Sequence, residues 1–193
     1  EVTNAMYRVC VEAGQCTSPG SDTYFVSEKY ENHPVAYMNW DQASIYCEWV
    51  GRRLPTEAEW EKAARGEKGQ MFPWGGGTAK AKDGKFLANG HFEGDGFKMT
   101  APVGSFPQGI SPCGALDMAG NVWEWTSSVF EPYPGFVLDM YKEYSEPWFH
   151  TRKVLRGGTW ASRSRMLRNT WRNYFTPDRR DVFGGFRTCA LDS

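Results

Sequence analysis

This 193-residue sequence has few histidines, almost no net charge and no long apolar run. It contains three histidines, its formal net charge is -1, and no apolar run approaches the roughly 20 residues that cross a bilayer. We therefore expect no membrane span. Nucleic-acid binders neutralise phosphates with clustered basic side chains, so a chain without a basic excess is not expected to bind nucleic acid.

Cysteine is also sparse, and its spacing excludes two common uses. The five cysteines are Cys10, Cys16, Cys47, Cys113 and Cys189, which form neither the dense even set of a small secreted scaffold nor a Cys-x-x-Cys metal pattern. A disulfide between Cys10 and Cys16 would close a short glycine-containing loop in an oxidising compartment. The interpretation that we favour is instead that the cysteines are small buried or half-buried thiols.

The residues that are abundant indicate one loop-rich domain. Glycine occurs 21 times, proline 11 times and tryptophan 9 times, alongside 40% hydrophobic and 23% charged residues. This composition is typical of a folded protein with many turns rather than of a helix bundle. The length suffices for a single core over residues 1–193. Because the chain opens with Glu-Val-Thr, we expect a domain that is clipped at its N-terminus. The sequence does not indicate the cellular compartment.

Two helices are predicted from local patterns. Apolar residues recur at helical spacing between Asp41 and Val50, which predicts an amphipathic helix. Thr56 and Glu59 have the spacing of a capping box, in which the hydroxyl and the carboxylate satisfy each other's free backbone N–H groups. The second helix is therefore predicted to begin at Thr56 and to run to Gly66.

Beyond Gly66 the helical periodicity ends, and turn-forming residues dominate as far as Pro112. Short strands are predicted where β-branched, aromatic and glycine residues occur together over a strand's length. These stretches are residues 35–39, 121–126, 154–159 and 185–191. The predicted fold class is α+β, with two helices, small antiparallel sheets and long loops.

Six motifs follow one another over nearly the whole chain. They are PVAYMNW (residues 34–40), GRRLPTEAEWE (51–61), FPWG (72–75), GNVWEW (120–125), LRGGTW (155–160) and GFR (185–187). As an ordered set they resemble the sulfatase-modifying-factor family, whose founding member, the formylglycine-generating enzyme, converts a cysteine of sulfatases to formylglycine. EVTN at residues 1–4 resembles the family's early strand. The resemblance implies the formylglycine-generating-enzyme-like variety of the C-type lectin fold.

The resemblance also allows a prediction about copper binding. Oxidase members of the family hold a copper ion through two cysteines placed shortly after an RGGSW motif, and copper(I) prefers soft thiolate ligands. The matching positions here are Ser162 and Leu167, and no cysteine occurs between Trp160 and Phe186. The resemblance therefore implies a domain without the oxidase's ligands, and we expect neither copper nor formylglycine-forming catalysis.

Iron is the metal of a second group of relatives. Sulfoxide synthases of thiol-histidine biosynthesis use a histidine-ligated iron that an accessory helical domain supplies in part. His33, His91 and His150 are scattered along this chain without the spacing of metal ligands, and no such helical domain lies beside them. An iron site is therefore not predicted among these residues.

The resemblance further implies two structural calcium sites. Calcium takes hard oxygen ligands from carboxylates, amides and backbone carbonyls, and two glycine-containing turns offer these. By resemblance, the first site comprises Asn89, Gly90, Asp95 and Phe97, and the second comprises Asp117, Gly120, Val122 and Glu124. The alternative is that the Asp and Asn side chains only cap turns.

Residues 161–183 resemble the variable region of proteins that retroelements diversify, which adopt the same fold and bind ligands through the residues between fixed positions. Aromatic and small polar side chains in those gaps suit a recognition surface. The predicted ligand-binding residues are Ala161, Ser162, Ser164, Thr170, Asn173, Tyr174, Phe175, Arg179, Asp181, Val182 and Phe183. Family members that are not diversified carry a similar stretch, so a fixed, non-catalytic member is an open alternative.

These observations lead to one function hypothesis and two alternatives. The leading hypothesis is a non-catalytic, calcium-stabilised ligand-binding domain of the kind that a diversity-generating retroelement varies, with a protein or cell-surface ligand. The alternatives are a formylglycine-generating-type oxidase or related oxidative enzyme, and a sensory module attached to a larger protein such as a kinase. A disulfide between Cys47 and Cys189 is left open, because Cys189 follows GFR one residue later than in the family.

Overall fold

The computed structural model describes residues 1–191, and its α+β architecture confirms the predicted class. Its helices are α1 (Asn4–Glu12), α2 (Trp40–Trp49) and α3 (Glu57–Arg65), and its strands are β1 (Trp123–Val129), β2 (Lys153–Arg156), β3 (Asn173–Phe175) and β4 (Gly184–Gly185). Short 3-10 turns lie between several of these elements. Within residues 1–191, no helix is long and apolar enough to pass through a bilayer.

The two predicted helices are confirmed, and each begins at a capping box. At the start of α2, Asn39 Oδ1 accepts from the Gln42 N–H at 2.8 Å, and the Gln42 side chain accepts from the Asn39 N–H at 3.2 Å. At the start of α3, Thr56 Oγ1 accepts from the Glu59 N–H at 3.2 Å, and the Glu59 carboxylate accepts from the Thr56 N–H at 2.7 Å. Gly66, with a φ of 62°, follows the end of α3.

The first helix, α1, is absent from the prediction, and residues 1–4 do not form the strand that the family resemblance implies. Thr3 makes a single antiparallel bridge with Pro34 and then caps α1, where its hydroxyl accepts from the Met6 N–H at 3.2 Å. Tyr7 and Cys10 on α1 are fully buried. Tertiary packing of this face stabilises a helix that is too short to form alone.

A single four-stranded sheet forms in the order β3-β2-β1-β4. β1 pairs antiparallel with β2, and β2 with β3, but β1 and β4 are parallel, so the sheet is mixed rather than purely antiparallel. The strand predicted over residues 35–39 is wrong, because Tyr37 has a φ of 59° and breaks the extended run. Of the strand predicted over residues 185–191, only its first residue belongs to β4. β3 is a strand that the sequence pattern does not predict.

Three clusters of buried side chains stabilise the fold. The main core packs α1 and α2 against the sheet, and Tyr7, Met38, Trp125, Leu155 and Phe186 are among its fully buried members. The second cluster comprises Phe72, Ala88, Ala119 and Leu167, and the third comprises Trp60, Ala64 and Met118. The second cluster therefore ties the long loop segment to the chain beyond β2.

Cys10 and Cys16 form a disulfide, contrary to the favoured interpretation of these residues as thiols. The bond joins the last turn of α1 to the segment that follows it. Among the described residues, Cys47, Cys113 and Cys189 are free. The bridge between Cys47 and Cys189 that was left open is therefore not formed, and the Cys189 backbone instead pairs with that of Arg53.

Candidate functional site

The two positions that match the copper ligands of oxidase members are both buried, one by hydrogen bonding and the other by apolar packing. Ser162 is 4% exposed, and its hydroxyl accepts from the Thr159 N–H at 2.9 Å. Leu167 is 1% exposed and belongs to the second cluster. Gly158 has a φ of 85°, and a Cβ there would lie 2.6 Å from the Leu167 side chain. A hydroxyl and an aliphatic side chain thus stand where copper(I) needs soft donors.

The histidines lie apart from one another. His33 Nδ1 is 3.0 Å from the Thr100 hydroxyl, and burial lowers the pKa of His33. His150 faces Glu131 at 3.5 Å, and His91 is exposed in the long loop segment. Within residues 1–191, no cluster of three or more His, Cys, Asp or Glu side chains is arranged to hold a metal ion. The described part of the chain therefore does not assemble a histidine-ligated iron site.

The first predicted calcium set contains two buried oxygens without hydrogen-bond partners among residues 1–191. They are Asn89 Oδ1 and Asp95 Oδ2. Asn89 Nδ2 donates to a backbone carbonyl at 2.8 Å, and Asp95 Oδ1 accepts from the Phe97 N–H at 3.1 Å. A Cβ at Gly90 would lie 2.6 Å from the Phe92 ring, so a larger residue there would require the ring to move. Unpaired buried oxygens are costly without a partner, and a hard cation is a partner of the right chemistry.

In the second predicted calcium set, the acidic side chains already have partners. Arg187 Nε and Nη2 donate to the two Glu124 oxygens at 2.5 and 2.6 Å, and Trp60 Nε1 donates to Glu124 at 2.6 Å. Asp117 Oδ2 accepts from the Gly104 N–H at 2.7 Å, and burial raises the pKa of Asp117. A cation bound to Glu124 would have to share the carboxylate with the Arg187 guanidinium. The first set therefore fits calcium better than the second.

The two sets are joined through the backbone. Gly120 pairs with Asn89 in a parallel bridge, and a Cβ at Gly120 would lie 1.8 Å from the Asn89 carbonyl oxygen. Asn121 Oδ1 accepts from Asn89 Nδ2 at 3.1 Å and from the Ala101 N–H at 2.9 Å, while Val122 is fully buried. These contacts hold the long loop segment against the start of β1.

The eleven predicted ligand-binding residues differ widely in exposure. The exposed ones are Ala161, Ser164, Thr170, Arg179 and Asp181, the half-buried ones are Asn173, Tyr174, Phe175, Val182 and Phe183, and the buried one is Ser162. Their neighbours also differ, because β3 and β4 lie at opposite edges of the sheet. Tyr174 stacks on Phe130 with ring centroids 3.9 Å apart, whereas Phe183 packs against Trp160 at 5.0 Å. The structure thus distributes these residues over several places rather than bringing them all together.

One of them, Thr170, lines a cleft beside α3 that we name the Glu57 cleft. The cleft has a volume of about 960 Å³, which lies in the range of small-molecule sites. α3 forms one wall, and the end of β1 with the segment through Tyr133 forms the other. Thr170 and Arg172 bring the C-terminal segment to the same cleft.

Glu57 is the centre of an ion-pair network in this cleft. Arg172 donates to both Glu57 oxygens at 2.7 and 2.8 Å, and Arg156 donates to Glu57 at 3.0 Å. The Arg172 guanidinium lies 4.6 Å from the centroid of Phe130 and 4.3 Å from that of Tyr133. The Tyr133 hydroxyl donates to Glu57 at 3.1 Å, and burial raises the pKa of Tyr133. Arg172 is thereby fixed in one orientation at the cleft wall.

The sequence offers no sign of this network. An acidic start to α3 is expected from the helix dipole alone. In the structure, however, Glu57 and Glu61 bind Arg156, while Glu59 binds Arg53. Glu57 and Arg156 are 99 residues apart in the chain, so no local spacing reports their contact.

Two curated relatives share extensive sequence with this chain. A hercynine oxygenase of Mycolicibacterium thermoresistibile is 43% identical over 166 residues, which cover 81% of this chain and 35% of that protein. The inactive Cα-formylglycine-generating enzyme 2 of Mus musculus is 40% identical over 186 residues, which cover 91% of this chain and 53% of that protein. The chain therefore spans between about a third and about a half of the length of these relatives.

Comparisons with solved structures and with family models agree on the fold. Treponema denticola variable protein 1 has a TM-score of 0.66 and 22% identity, and the similarity covers 97% of this chain and 81% of that one. At this identity the likeness shows the fold alone, and it confirms the predicted architecture. The model of the sulfatase-modifying factor enzyme 1-like domain matches residues 1–191. The chain therefore belongs to the sulfatase-modifying factor enzyme 1-like family, as its ordered motifs predict.

Proposed function

We propose that this chain is the family domain of an oxygenase of the hercynine oxygenase kind, in which it forms one wall of the substrate site. The observation that carries the proposal is the 43% identity over 166 residues to the Mycolicibacterium thermoresistibile enzyme. The proposal develops the oxidative alternative that the sequence left open. It assigns substrate binding to this chain and places the metal ligands elsewhere.

The metal is assigned elsewhere because residues 1–191 do not fit an iron site. Iron in such an oxygenase would supply the activation of dioxygen. His33 and His150 contact different partners, and within residues 1–191 no three His, Cys, Asp or Glu side chains form a group that could hold a metal ion. Only 35% of the hercynine oxygenase is covered by the similarity, so that enzyme has a large further segment. In our proposal, an equivalent segment of the full-length protein carries the ligands, and we derive no reaction step through the metal.

The Glu57 cleft is the part of this chain that we assign to the substrate. Hercynine is a small betaine, and its carboxylate would be attracted to the three cations of the cleft, Lys62, Arg65 and Arg172. Three carboxylates, those of Glu57, Glu61 and Glu131, also line the cleft, and Lys62 is the cation that no ion pair within residues 1–191 neutralises. Charge-assisted bonds to a carboxylate are stronger than neutral ones. Arg172 is held by Glu57 between two rings, so little freedom remains for it to lose on binding. Lys62 is exposed at the cleft and is free to reach a ligand.

The experiment is an oxygen-consumption assay of the full-length protein that carries this chain, loaded with iron(II). Hercynine is supplied with each of a panel of thiols, and a cysteine-containing sulfatase peptide is supplied in a parallel reaction. We expect oxygen uptake that requires both hercynine and a thiol. Uptake with the sulfatase peptide instead would support the formylglycine-generating alternative, and no uptake in either reaction would overturn the oxygenase proposal.

A substitution in the cleft tests the place of binding. Lys62→Gln is expected to raise the KM for hercynine by about tenfold, since a charge-assisted bond to a carboxylate is lost. Lys68→Gln is the matched control, because Lys68 is exposed just beyond the end of α3 and does not line the cleft. Equal KM values for the two variants would contradict the assignment of the Glu57 cleft.

A second candidate function is a non-catalytic ligand-binding domain, which is the leading hypothesis from sequence. It is favoured by the buried Ser162 and Leu167 at the copper positions and by the 40% identity over 186 residues to an inactive family member. Diversification by a retroelement has weaker support, since the similarity to a variable protein is one of fold alone. Binding of a protein ligand through residues 161–183, together with no oxygen uptake, would support this candidate.

We also propose that calcium binds at the first of the two predicted sets. Its support is the pair of unpartnered buried oxygens, Asn89 Oδ1 and Asp95 Oδ2. A cation there would satisfy both and would add order to the irregular segment after α3. The second set, in which Arg187 already neutralises Glu124, is expected to bind calcium more weakly.

A further inference from the structure

A second concave site is also lined by part of the C-terminal segment, and we name it the Trp74 groove. Its volume is about 500 Å³, which is within the range of sites for small molecules. The loop segment contributes Phe72, Trp74 and Lys80, and the C-terminal segment contributes Arg165 and Arg168. It shares no lining residue with the Glu57 cleft.

The apolar lining of the groove is built from stacked aromatic rings. Phe72 and Trp74 are parallel within 4°, with centroids 5.1 Å apart, and Phe86 and Phe92 stack at 5.4 Å. Leu167, which stands at the second copper-ligand position of the family, completes this lining with an aliphatic side chain. Such stacked pairs leave ring edges and outer faces against which a planar ligand can pack.

The charge of the groove has a single sign. Lys80, Arg165 and Arg168 line it, and its lining includes no Asp or Glu. Both arginines are exposed, and no ion pair joins either of them to an acidic side chain of residues 1–191. Lys80 lies 4.4 Å from the centroid of Phe86, which places its ammonium over the aromatic lining. Three cations around one groove contrast with the net charge of -1 for the whole chain.

Trp74 adds a donor that lacks an acceptor. Its indole Nε1 is buried, and within the described residues it has no hydrogen-bond partner. Buried N–H groups are nearly always paired, so an unpaired one at a concave site indicates that a ligand atom or a water completes it. An anionic oxygen bound beside the arginines would be an acceptor of the right kind.

We propose that the Trp74 groove binds a small planar aromatic carboxylate. The aromatic ring of the ligand stacks on the lining around Trp74 and Phe92, and its carboxylate accepts from Arg165 and Arg168. The size of the groove selects a small molecule over a folded partner. The absence of an acidic lining residue selects an anion over a cation. This binding is independent of the oxygenase proposal, because it uses no residue of the Glu57 cleft.

The experiment is isothermal titration of the chain with 2-naphthoate, with 2-naphthamide and cyclohexanecarboxylate as probes that lack the charge and the planar ring. We expect one site for 2-naphthoate and about tenfold weaker binding of each comparison probe. The double variant R165Q/R168Q is expected to weaken 2-naphthoate by about tenfold, and Trp74→Phe by about threefold, since it keeps a ring but loses the N–H. Both arginines are exposed, so their replacement leaves the fold intact.

The matched control is Arg163→Gln, which removes an exposed arginine of the same segment that does not line the groove. It is expected to change 2-naphthoate affinity by less than about twofold. Equal affinity of the wild-type chain and R165Q/R168Q, equal affinity for 2-naphthoate and 2-naphthamide, or no binding of 2-naphthoate would each overturn the proposal. Circular dichroism of every variant confirms that a loss of binding is not a loss of fold.

Discussion

Arg156 is a charged residue whose side chain is completely buried. It donates to Glu57, to Glu61 and to the Asn169 carbonyl. Burying ions costs several kcal/mol each, which close pairing and hydrogen bonding offset. Arg156 Nε is buried and has no hydrogen-bond partner within residues 1–191, so the ion pairs carry most of this compensation. Glu57 is shared with Arg172, so the loss of Arg156 leaves two carboxylates with one close partner fewer.

Replacement of this arginine is therefore expected to be severe. Arg156→Met should lower the free energy of unfolding by about 3–5 kcal/mol, because the buried Glu57 and the half-buried Glu61 each lose one of their two arginine partners. Urea denaturation of the purified chain measures the difference. Arg163→Gln serves as an exposed control and should change stability by less than about 0.5 kcal/mol. A loss below about 1 kcal/mol for Arg156→Met would show that water replaces the guanidinium.

At the scale of single elements, the start of α3 combines a cap with an ion pair. The Glu59 carboxylate accepts from both Arg53 and the Thr56 N–H, and these bonds lower its pKa from 4.5 to about 2. A depressed carboxyl pKa stabilises the fold above the ordinary value of 4.5. That contribution is lost as the pH falls through the folded value of about 2. The half-exposed position of Glu59 limits its size.

Glu59→Ala tests this element. It should lower the free energy of unfolding at pH 7 by about 1 kcal/mol, since the reciprocal cap is lost. The difference in the free energy of unfolding between the wild-type chain and the variant should decrease as the pH is lowered from 4.5 toward 2. Chemical denaturation over that pH series gives both values. Glu67→Ala, at an exposed position just beyond α3, should show no such trend. A stability difference between the wild-type chain and Glu59→Ala that does not change with pH would contradict the ion-pair explanation.

The disulfide at the end of α1 is a second element-scale feature. Cys10 and Cys16 are six residues apart. Closing this short loop lowers the conformational entropy of the unfolded chain and so stabilises the folded chain by about 2 kcal/mol. The double variant C10S/C16S should therefore lose about 2 kcal/mol of stability. Thermal unfolding with and without a reductant measures the same loss in the wild-type chain. C113S, which changes an exposed free thiol, is the control and should behave like the wild type in both conditions.

At the scale of the whole molecule, the segment between α3 and β1 is the least regular part. Over residues 66–122 the structure has one 3-10 turn, Pro107–Gly109, and otherwise only isolated bridges and turns. Its attachment depends on the second cluster and on the amides of Asn89 and Asn121. Such a segment gains little from secondary structure, so a bound cation would contribute to it directly.

Calcium is expected to stabilise the chain through this segment. At a calcium concentration of about 100 times Kd, the free energy of unfolding should rise by about 2.7 kcal/mol. Asp95→Asn should abolish the rise, because Asp95 belongs to the set with unpartnered oxygens. Asp117→Asn should keep most of it, since Arg187 already neutralises Glu124 of the second set and Asp117 already accepts from the Gly104 N–H. Calorimetry with calcium or a chelator measures each case, and retention by Asp95→Asn with loss by Asp117→Asn would reverse the assignment.

Predictions from the sequence succeeded where the physical cause is local or where a whole family pattern is present. The capping box of α3 and the helical spacing of α2 depend on neighbours within a few residues, and both helices form as predicted. The ordered motifs predicted the family, which the match over residues 1–191 confirms. The strand predicted over residues 35–39 failed because Tyr37 adopts a positive φ that no propensity reports.

The sequence by itself determined the family, the fold class and the helix boundaries of α2 and α3, since these follow from contacts within a few residues or from motifs in order. Only the tertiary structure decided that Glu57 binds Arg156 and Arg172. It likewise decided that Tyr174 and Phe183, two of the predicted ligand-binding residues, pack against different aromatic rings. It also decided which carboxylates keep unpartnered oxygens. The physical reason is that burial and pairing across 99 residues or more depend on how the chain packs, which local spacing does not encode.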